Sequence, residues 1–299
     1  MPGSARRPRR GPDVLILPRA IGKVAAPLRP WRVASVIAAG LGGGLALSAA
    51  VCGAPRVSPA PRDNLSEAAE HYRPIMVRDI DRSLAGARLL RARLAAGDVP
   101  GAQKAWIDSR VGWERSEVFT SGFVPDLDRE IDAWPNALLG FHAIETKLFG
   151  AKRTDLKPET DALILNLEDL DVKIRHLDLL PQRLLNGTAR LAYEIGESKA
   201  DGGESAFSGT SLNDMRDNVD GIEIAYETIF AAAVEAGDPK LAPAISQKIA
   251  ELKTLVGVPD LKSLDPERLR AASEELIVLL QTAAPEIGLR APSLEEIAQ

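Results

Sequence analysis

The chain has 299 residues, 45% of them hydrophobic, and one cysteine, Cys52, so an intramolecular disulfide is excluded and the core must be large enough to fold without one. A net charge of -5 hides an uneven distribution: residues 1–52 carry eight basic side chains against one acid, leaving 29 Lys and Arg against 41 Asp and Glu beyond them, a net of -12. Such an acidic body repels phosphate backbones and attracts cations, which argues against nucleic acid as a partner and for cationic ligands.

The chain opens on an address. Arg29 and Arg32 precede an uncharged run of 19 residues, Val33 to Val51, that ends in Ser48, Ala49 and Ala50. This is the layout of an export signal. Cys52 stands where a lipoprotein signal would be cleaved and lipidated, although Val51 replaces the usual small residue before it. Secretory cleavage near Ser48-Ala49-Ala50 and an uncleaved signal anchor are the competing readings, because 19 residues is close to the ~20 needed to span a bilayer. All three place the body outside the cytoplasm, in the periplasm or on the outer face of the cytoplasmic membrane. The expected division is 1–52 as signal, 53–62 as a proline-containing tether and 63–299 as one helical domain.

Beyond the tether, apolar residues step by three and four as one helix face requires: Met76, Ile80, Leu84, Ala87, Leu90 and Leu94 from Tyr72 onward. Gly97-Asp98 is expected to stop this helix, and Pro100 to sit in the first turn of the next, which carries Trp106 through Phe119. The pattern returns in Leu163 to Leu177 before Pro181, Leu212 to Ile229, Leu241 to Leu252 and Leu269 to Leu279. Ser211 with Asp214 has the spacing of a capping box, and Asp265-Pro266 reads as a cap and a first-turn proline. No alternating strand pattern competes. The expected fold class is all-α, with about eight helices in two up-and-down bundles forming one domain.

Two polar clusters are unexplained by helix packing. In A-W-I-D-S-R-V-G-W-E-R-S-E-V-F, helical spacing gathers Trp106, Arg110, Trp113, Glu114 and Glu117 on one side, with Glu114 and Glu117 at i, i+3 where both can meet one ion. A solvated acidic face paired with Arg110 is the plainer alternative, but such a face has no need of two tryptophans. In L-L-G-F-H-A-I-E-T-K-L-F-G, His142 and Glu145 are again i, i+3, with Leu138, Leu139, Phe141, Ile144 and Leu148 as apolar contacts. Imidazole and carboxylate at this step make a two-ligand clamp, and also a hydrogen-bonded core pair. His71 and His176 have no such company.

G-F-H-A-I-E, a Gly-x-His-x-x-Glu pattern, resembles the signature of the imelysin-like family. W-E-R-S-E with F-V-P-D-L-D-R-E-I-D resembles that family's paired-glutamate helix and the acidic segment after it. G-E-S-A-F-S-G-T-S-L-N-D-M-R-D-N-V-D-G resembles a further segment of EfeO-type members, and the likeness spans about residues 65–285. It implies two helical bundles in one exported domain, a role in an EfeUOB-like iron-uptake system with permease and peroxidase partners, and metal ligands at Glu114, Glu117, Asp132, His142 and Glu145. Trp106, Arg110 and Trp113 would then orient the carboxylates from behind. The sequence departs from the family at Phe207-Ser208-Gly209-Thr210-Ser211, where a Tyr-Ser-His-Thr-Asp stretch is expected, and residues before 63 are too few for the cupredoxin domain of full-length EfeO proteins. The likeness is therefore to shorter, EfeM-like members.

Oxygen ligands with one imidazole suit iron, and also zinc or manganese, better than copper(I). The expected function is metal capture without catalysis. A zinc metallopeptidase is the enzymatic alternative, weakened by the lack of His-Glu-x-x-His. A module binding acidic polysaccharide such as alginate is the other, and it requires either a metal that bridges ligand and protein or a local basic groove around Arg110.

Overall fold

The computed structural model describes residues 62–135 and 137–297, all within one compact unit. The expected signal segment, Cys52 and the expected tether up to residue 61 lie outside the described residues. Among the described residues there is no strand, and no helix is long and apolar enough to cross a membrane.

Helix α1 runs from Arg62 to Ala95, ten residues earlier than the periodicity from Tyr72 predicts. The reason is that Leu65, Ala69 and Tyr72 extend the same buried stripe upstream. Pro74 lies inside α1 on its exposed side, where the missing N–H withholds only a bond to the Glu70 carbonyl. Each fully buried Leu or Ile on this stripe contributes about 1.5–3 kcal/mol, which is how a long helix tolerates one interior proline. Gly97 and Asp98 turn the chain, and Asp98 Oδ1 accepts from Gly101 N at 2.9 Å to cap α2 (Val99–Ser116), with Pro100 in its first turn.

α1 and α2 press together closely. A Cβ on Gly112 would stand 2.0 Å from the Asp79 carbonyl oxygen, so only glycine permits this approach. Ser109 Oγ donates across the same seam to the Ser83 carbonyl at 2.7 Å. After α2 come the short α3 (Thr120–Phe123) and α4 (Pro125–Asp132), then α5 (Gly140–Glu145), a π-helical turn at Thr146–Gly150 and α6 (Lys157–Ile174). Leu177, expected at the end of α6, lies in the link that follows.

The second half consists of α7 (Pro181–Glu194) with a π-helical turn at Ile195–Lys199, α8 (Ser211–Ala225), a third π turn at Tyr226–Phe230, α9 (Ala231–Gly237), α10 (Leu241–Val256), α11 (Pro266–Glu286) and α12 (Leu294–Ile297). α1 packs on α2 and α6, while α7, α8, α10 and α11 pack on one another. The two groups meet where α2 lies against α8. Asp265 Oδ1 accepts from Arg268 N at 3.1 Å, as its cap-and-proline pattern predicts. The capping box expected at Ser211 and Asp214 does not form. Ser211 Oγ instead serves the backbone of Gly202 and Ser205, and Asp214 turns toward Arg110 and Ser205.

Candidate metal centre

Where α2 faces α8, α2 delivers five buried residues of the first predicted cluster, Trp106, Arg110, Trp113 and Glu114 from inside the helix and Glu117 from its C-terminal cap. Arg110, 1% exposed, organises the acids around it. Its Nη1 donates to Asp132 Oδ1 at 2.7 Å, Nη2 donates to Glu114, and Nε and Nη2 each lie 3.4 Å from Asp214. The guanidinium also sits 5.2 Å from the Trp106 ring centroid and 5.4 Å from that of Phe141, contacts that favour a desolvated cation. Trp106 Nε1 donates to the Phe141 carbonyl at 3.1 Å, and Trp113 Nε1 to Asp132 Oδ2 at 2.6 Å. Both tryptophans are therefore positioned by their polar handles as well as by packing.

Glu114 and Glu117 do converge on one cation, and that cation is Lys199. The ammonium, carried by the π turn after α7, lies 3.0 Å from Glu114 Oε2 and 2.7 Å from Glu117 Oε2. Asn218 Nδ2 donates to the same two oxygens at 3.0 and 2.8 Å. Burial pushes Glu117 well above the usual carboxylate range, with the neighbouring Glu114 charge adding to it. Glu114 is buried too, but Arg110 and Lys199 outweigh that and hold it low. Burial works against the Lys199 charge, yet Glu114 and Glu117 raise the ammonium well above its ordinary value.

The second cluster is arranged differently. Gly140, φ +75°, starts α5 in a left-handed conformation, and a Cβ there would stand 2.1 Å from the Ile131 carbonyl oxygen. That requirement explains the glycine of Gly-x-His-x-x-Glu: it lets α5 abut the end of α4, so that His142 comes beside Asp132. Phe141, Ile144 and Leu148 are buried as expected, whereas Leu138 and Leu139 are exposed, at 87% and 44%, because they precede the helix and its buried face.

His142 and Glu145 bond each other, Nδ1 to Oε2 at 3.1 Å, and Glu145 Oε1 accepts from Ser208 N and Oγ, both at 2.8 Å. The departing F-S-G-T-S segment thus holds Glu145 in place. With Nδ1 so engaged, Nε2 is the free ring nitrogen. It is buried without a hydrogen-bond partner, 3.4 Å from Asp132 Oδ1 and 3.6 Å from Glu204 Oε1. Burial disfavours the imidazolium, but the Asp132 carboxylate, with Glu145 and Glu204 in support, overcomes it and raises His142 to about 9. Desolvation works against the Glu204 charge too, but Lys199 and His142 outweigh it and bring the carboxyl down to about 2.

Ligand atoms of Asp132, His142 and Glu204 all lie within 4.8 Å of one another. Two donors about 2.1 Å from a common ion, at angles of 90–110°, stand roughly 3.0–3.4 Å apart, so small side-chain rotations suffice to close this triangle on a metal. Glu204 was not singled out from the sequence. It lies in an irregular loop between the π turn and α8, where no periodicity marks it, and its one signal is its place in the Gly-Glu of the segment shared with EfeO-type proteins. Lys199 gave no signal at all, since its role depends on chain segments more than 80 residues away.

The structure is thus an all-helical domain in which two carboxylates and an imidazole converge at one point. The imelysin family model, which carries a peptidase name, matches residues 70–137 and 136–284. The chain belongs to the imelysin family. It is 28% identical over 229 residues to an EfeM/EfeO family lipoprotein of Staphylococcus haemolyticus, covering 71% of this chain and 79% of that one. It is 29% identical over 182 residues to the iron uptake system component EfeM of Bacillus subtilis, 58% of this chain and 46% of its relative, so it spans about half of that protein. Neither relative is named for catalysis. The fold is similar to the crystal structure of a Parabacteroides distasonis chain described as an iron-regulated protein A precursor, with a TM-score of 0.60 at 17% identity, over 77% of this chain and 96% of that one.

Proposed function

We propose that this chain captures a metal ion outside the cytoplasm as a non-catalytic component of an iron-uptake system, with iron as its cargo. The observation that carries the reading is His142 Nε2, a buried nitrogen with no hydrogen-bond partner, facing a carboxylate oxygen on each side. At neutral pH that nitrogen is protonated and held between the two carboxylates, and a metal ion that displaces the proton takes over the same three donors. In this reading Asp132, His142 and Glu204 are the ligands, and Glu145 fixes the imidazole tautomer through Nδ1. Glu114 and Glu117 lie behind Glu204, joined to it through Lys199. The mixed oxygen and nitrogen donor set suits iron, zinc and manganese, and the uptake role named for the Bacillus relative favours iron.

The lipoprotein name of the Staphylococcus relative supports Cys52 as the anchoring residue, holding the domain at the outer face of the membrane beside the permease and peroxidase partners of such a system. The polysaccharide reading loses its groove: Arg110 is enclosed by Asp132, Glu114 and Asp214, so no basic surface surrounds it. A metallopeptidase reading has only one imidazole at the triad to work with.

Isothermal titration of residues 53–299, stripped with chelator, tests the assignment. One iron per chain is expected, with binding weakened at least about a hundredfold in His142→Ala and in Glu204→Gln, each of unchanged helicity. Equal binding by wild type and both variants sinks it.

A further inference from the structure

We propose that Lys199 is a resident cation: its ammonium fills a second ion position beside the triad, between Glu114, Glu117 and Glu204, and so holds the chain to one metal ion where its carboxylates would otherwise take two. The limit to one ion rests on the metal reading above, whereas the position itself does not.

The spacing of Glu114 and Glu117 predicts a shared ion, and the structure places a positive charge at that point. Lys199 Nζ lies 2.7 Å from Glu117 Oε2, 3.0 Å from Glu114 Oε2 and 3.5 Å from Glu204 Oε1, so carboxylates from α2 and from the loop before α8 converge on it. Glu204 Oε1 has a second neighbour, His142 Nε2 at 3.6 Å. One carboxylate oxygen thus stands between the triad and the ammonium, which is the layout of a paired-ion site with one position already occupied.

Two further features separate this position from an ordinary buried ion pair. Asn218 is fully buried, its Nδ2 donates to Glu114 Oε2 and Glu117 Oε2, and its Oδ1 has no hydrogen-bond partner. Rotation of the amide about its Cβ–Cγ bond would turn that spare oxygen toward the position the ammonium holds. The other feature is the contrast with Arg110, which also stands among carboxylates. Its planar guanidinium lies 5.2 Å and 5.4 Å from the Trp106 and Phe141 ring centroids, surroundings that favour an organic cation. The Lys199 ammonium is a compact point charge met by carboxylate oxygens and an amide, as a metal ion is.

The position is within reach of solvent once the side chain is shortened, because Glu204 lines a cavity of about 360 Å³ whose walls include the exposed Trp134 and Phe207. Burial favours the protonated form of Glu117, so an ion that takes the place of the ammonium has to displace that proton. Measurements therefore belong at pH 8.

Equilibrium dialysis of the chelator-stripped protein against Mn(II), an ion suited to a site of oxygen donors, counts the positions. Wild type is expected to hold one ion per chain, and Lys199→Ala, which clears the position, two. Lys199→Met removes the charge but keeps the bulk, and it should stay at one. Adding Glu117→Gln to Lys199→Ala should return the count to one. Circular dichroism with and without Mn(II) follows folding, because Lys199→Ala leaves two carboxylates without their cation; the ion is expected to raise its urea midpoint by more than it raises that of wild type. Equal counts in wild type and Lys199→Ala overturn the proposal and leave Lys199 a structural ion pair, as does a Lys199→Ala chain that Mn(II) fails to stabilise. No ion in wild type with one in Lys199→Ala upholds the position and overturns the triad instead.

Discussion

His142 illustrates how one residue's protonation state is set by its neighbours and then serves the site. With the imidazole raised to about 9 in the metal-free protein, Nε2 carries a proton at neutral pH and a metal ion must displace it. Iron binding should therefore release about one proton, and apparent affinity should climb about tenfold per pH unit from neutrality toward 9, as calorimetry in buffers of different ionisation heat will measure. Metal-free stability runs the other way. A histidine raised from 6.5 to about 9 contributes stability that is complete below 6.5 and lost as pH rises through 9. That loss amounts to about 3 kcal/mol, and chemical denaturation at pH 6 and pH 9, compared with His142→Gln, should show it only in wild type.

Among the elements, α5 owes its position to its first residue. Gly140→Ala must relieve both a positive φ and a Cβ placed 2.1 Å from the Ile131 carbonyl oxygen, and that oxygen belongs to backbone that cannot swing aside. We expect a loss of about 2–4 kcal/mol in stability together with weaker iron binding, because shifting α5 off α4 separates His142 from Asp132. Normal affinity in a destabilised variant would show that the glycine serves folding alone. The π turn at Ile195–Lys199 is a comparable device at the other side of the site, aiming Lys199 inward from the end of α7.

Across the molecule, the Lys199 ammonium ties the two helical groups together, joining Glu114 and Glu117 of α2 to the segment between α7 and α8. Removing one partner of a buried pair leaves the other charge unsolvated, at a cost of about 3–5 kcal/mol. Lys199→Met should show that loss in urea denaturation. Lys199→Met with Glu117→Gln should recover part of it, since the Glu117 amide needs no cation and Arg110 still balances Glu114. Additive losses in the double variant would mean that Lys199 acts through packing and not through charge.

The sequence by itself determined the helices and much of the site. The 3.6-residue stripes dictate α1, α2, α8, α10 and α11, because burying one face of each is the only way to remove so many aliphatic side chains from water. The local pattern also marked His142, Glu145 and the Trp106 to Glu117 side of α2, since residues three and four apart on a helix are neighbours wherever that helix goes. Tertiary structure alone decided which carboxylates face the imidazole. Glu204 sits on irregular chain, Lys199 meets its partners across more than 80 residues, and Asp214 abandons its capping role once Arg110 offers a stronger partner. Those choices follow from the cost of leaving a buried charge unpaired, which is set by every element packed around it and by no single stretch of sequence.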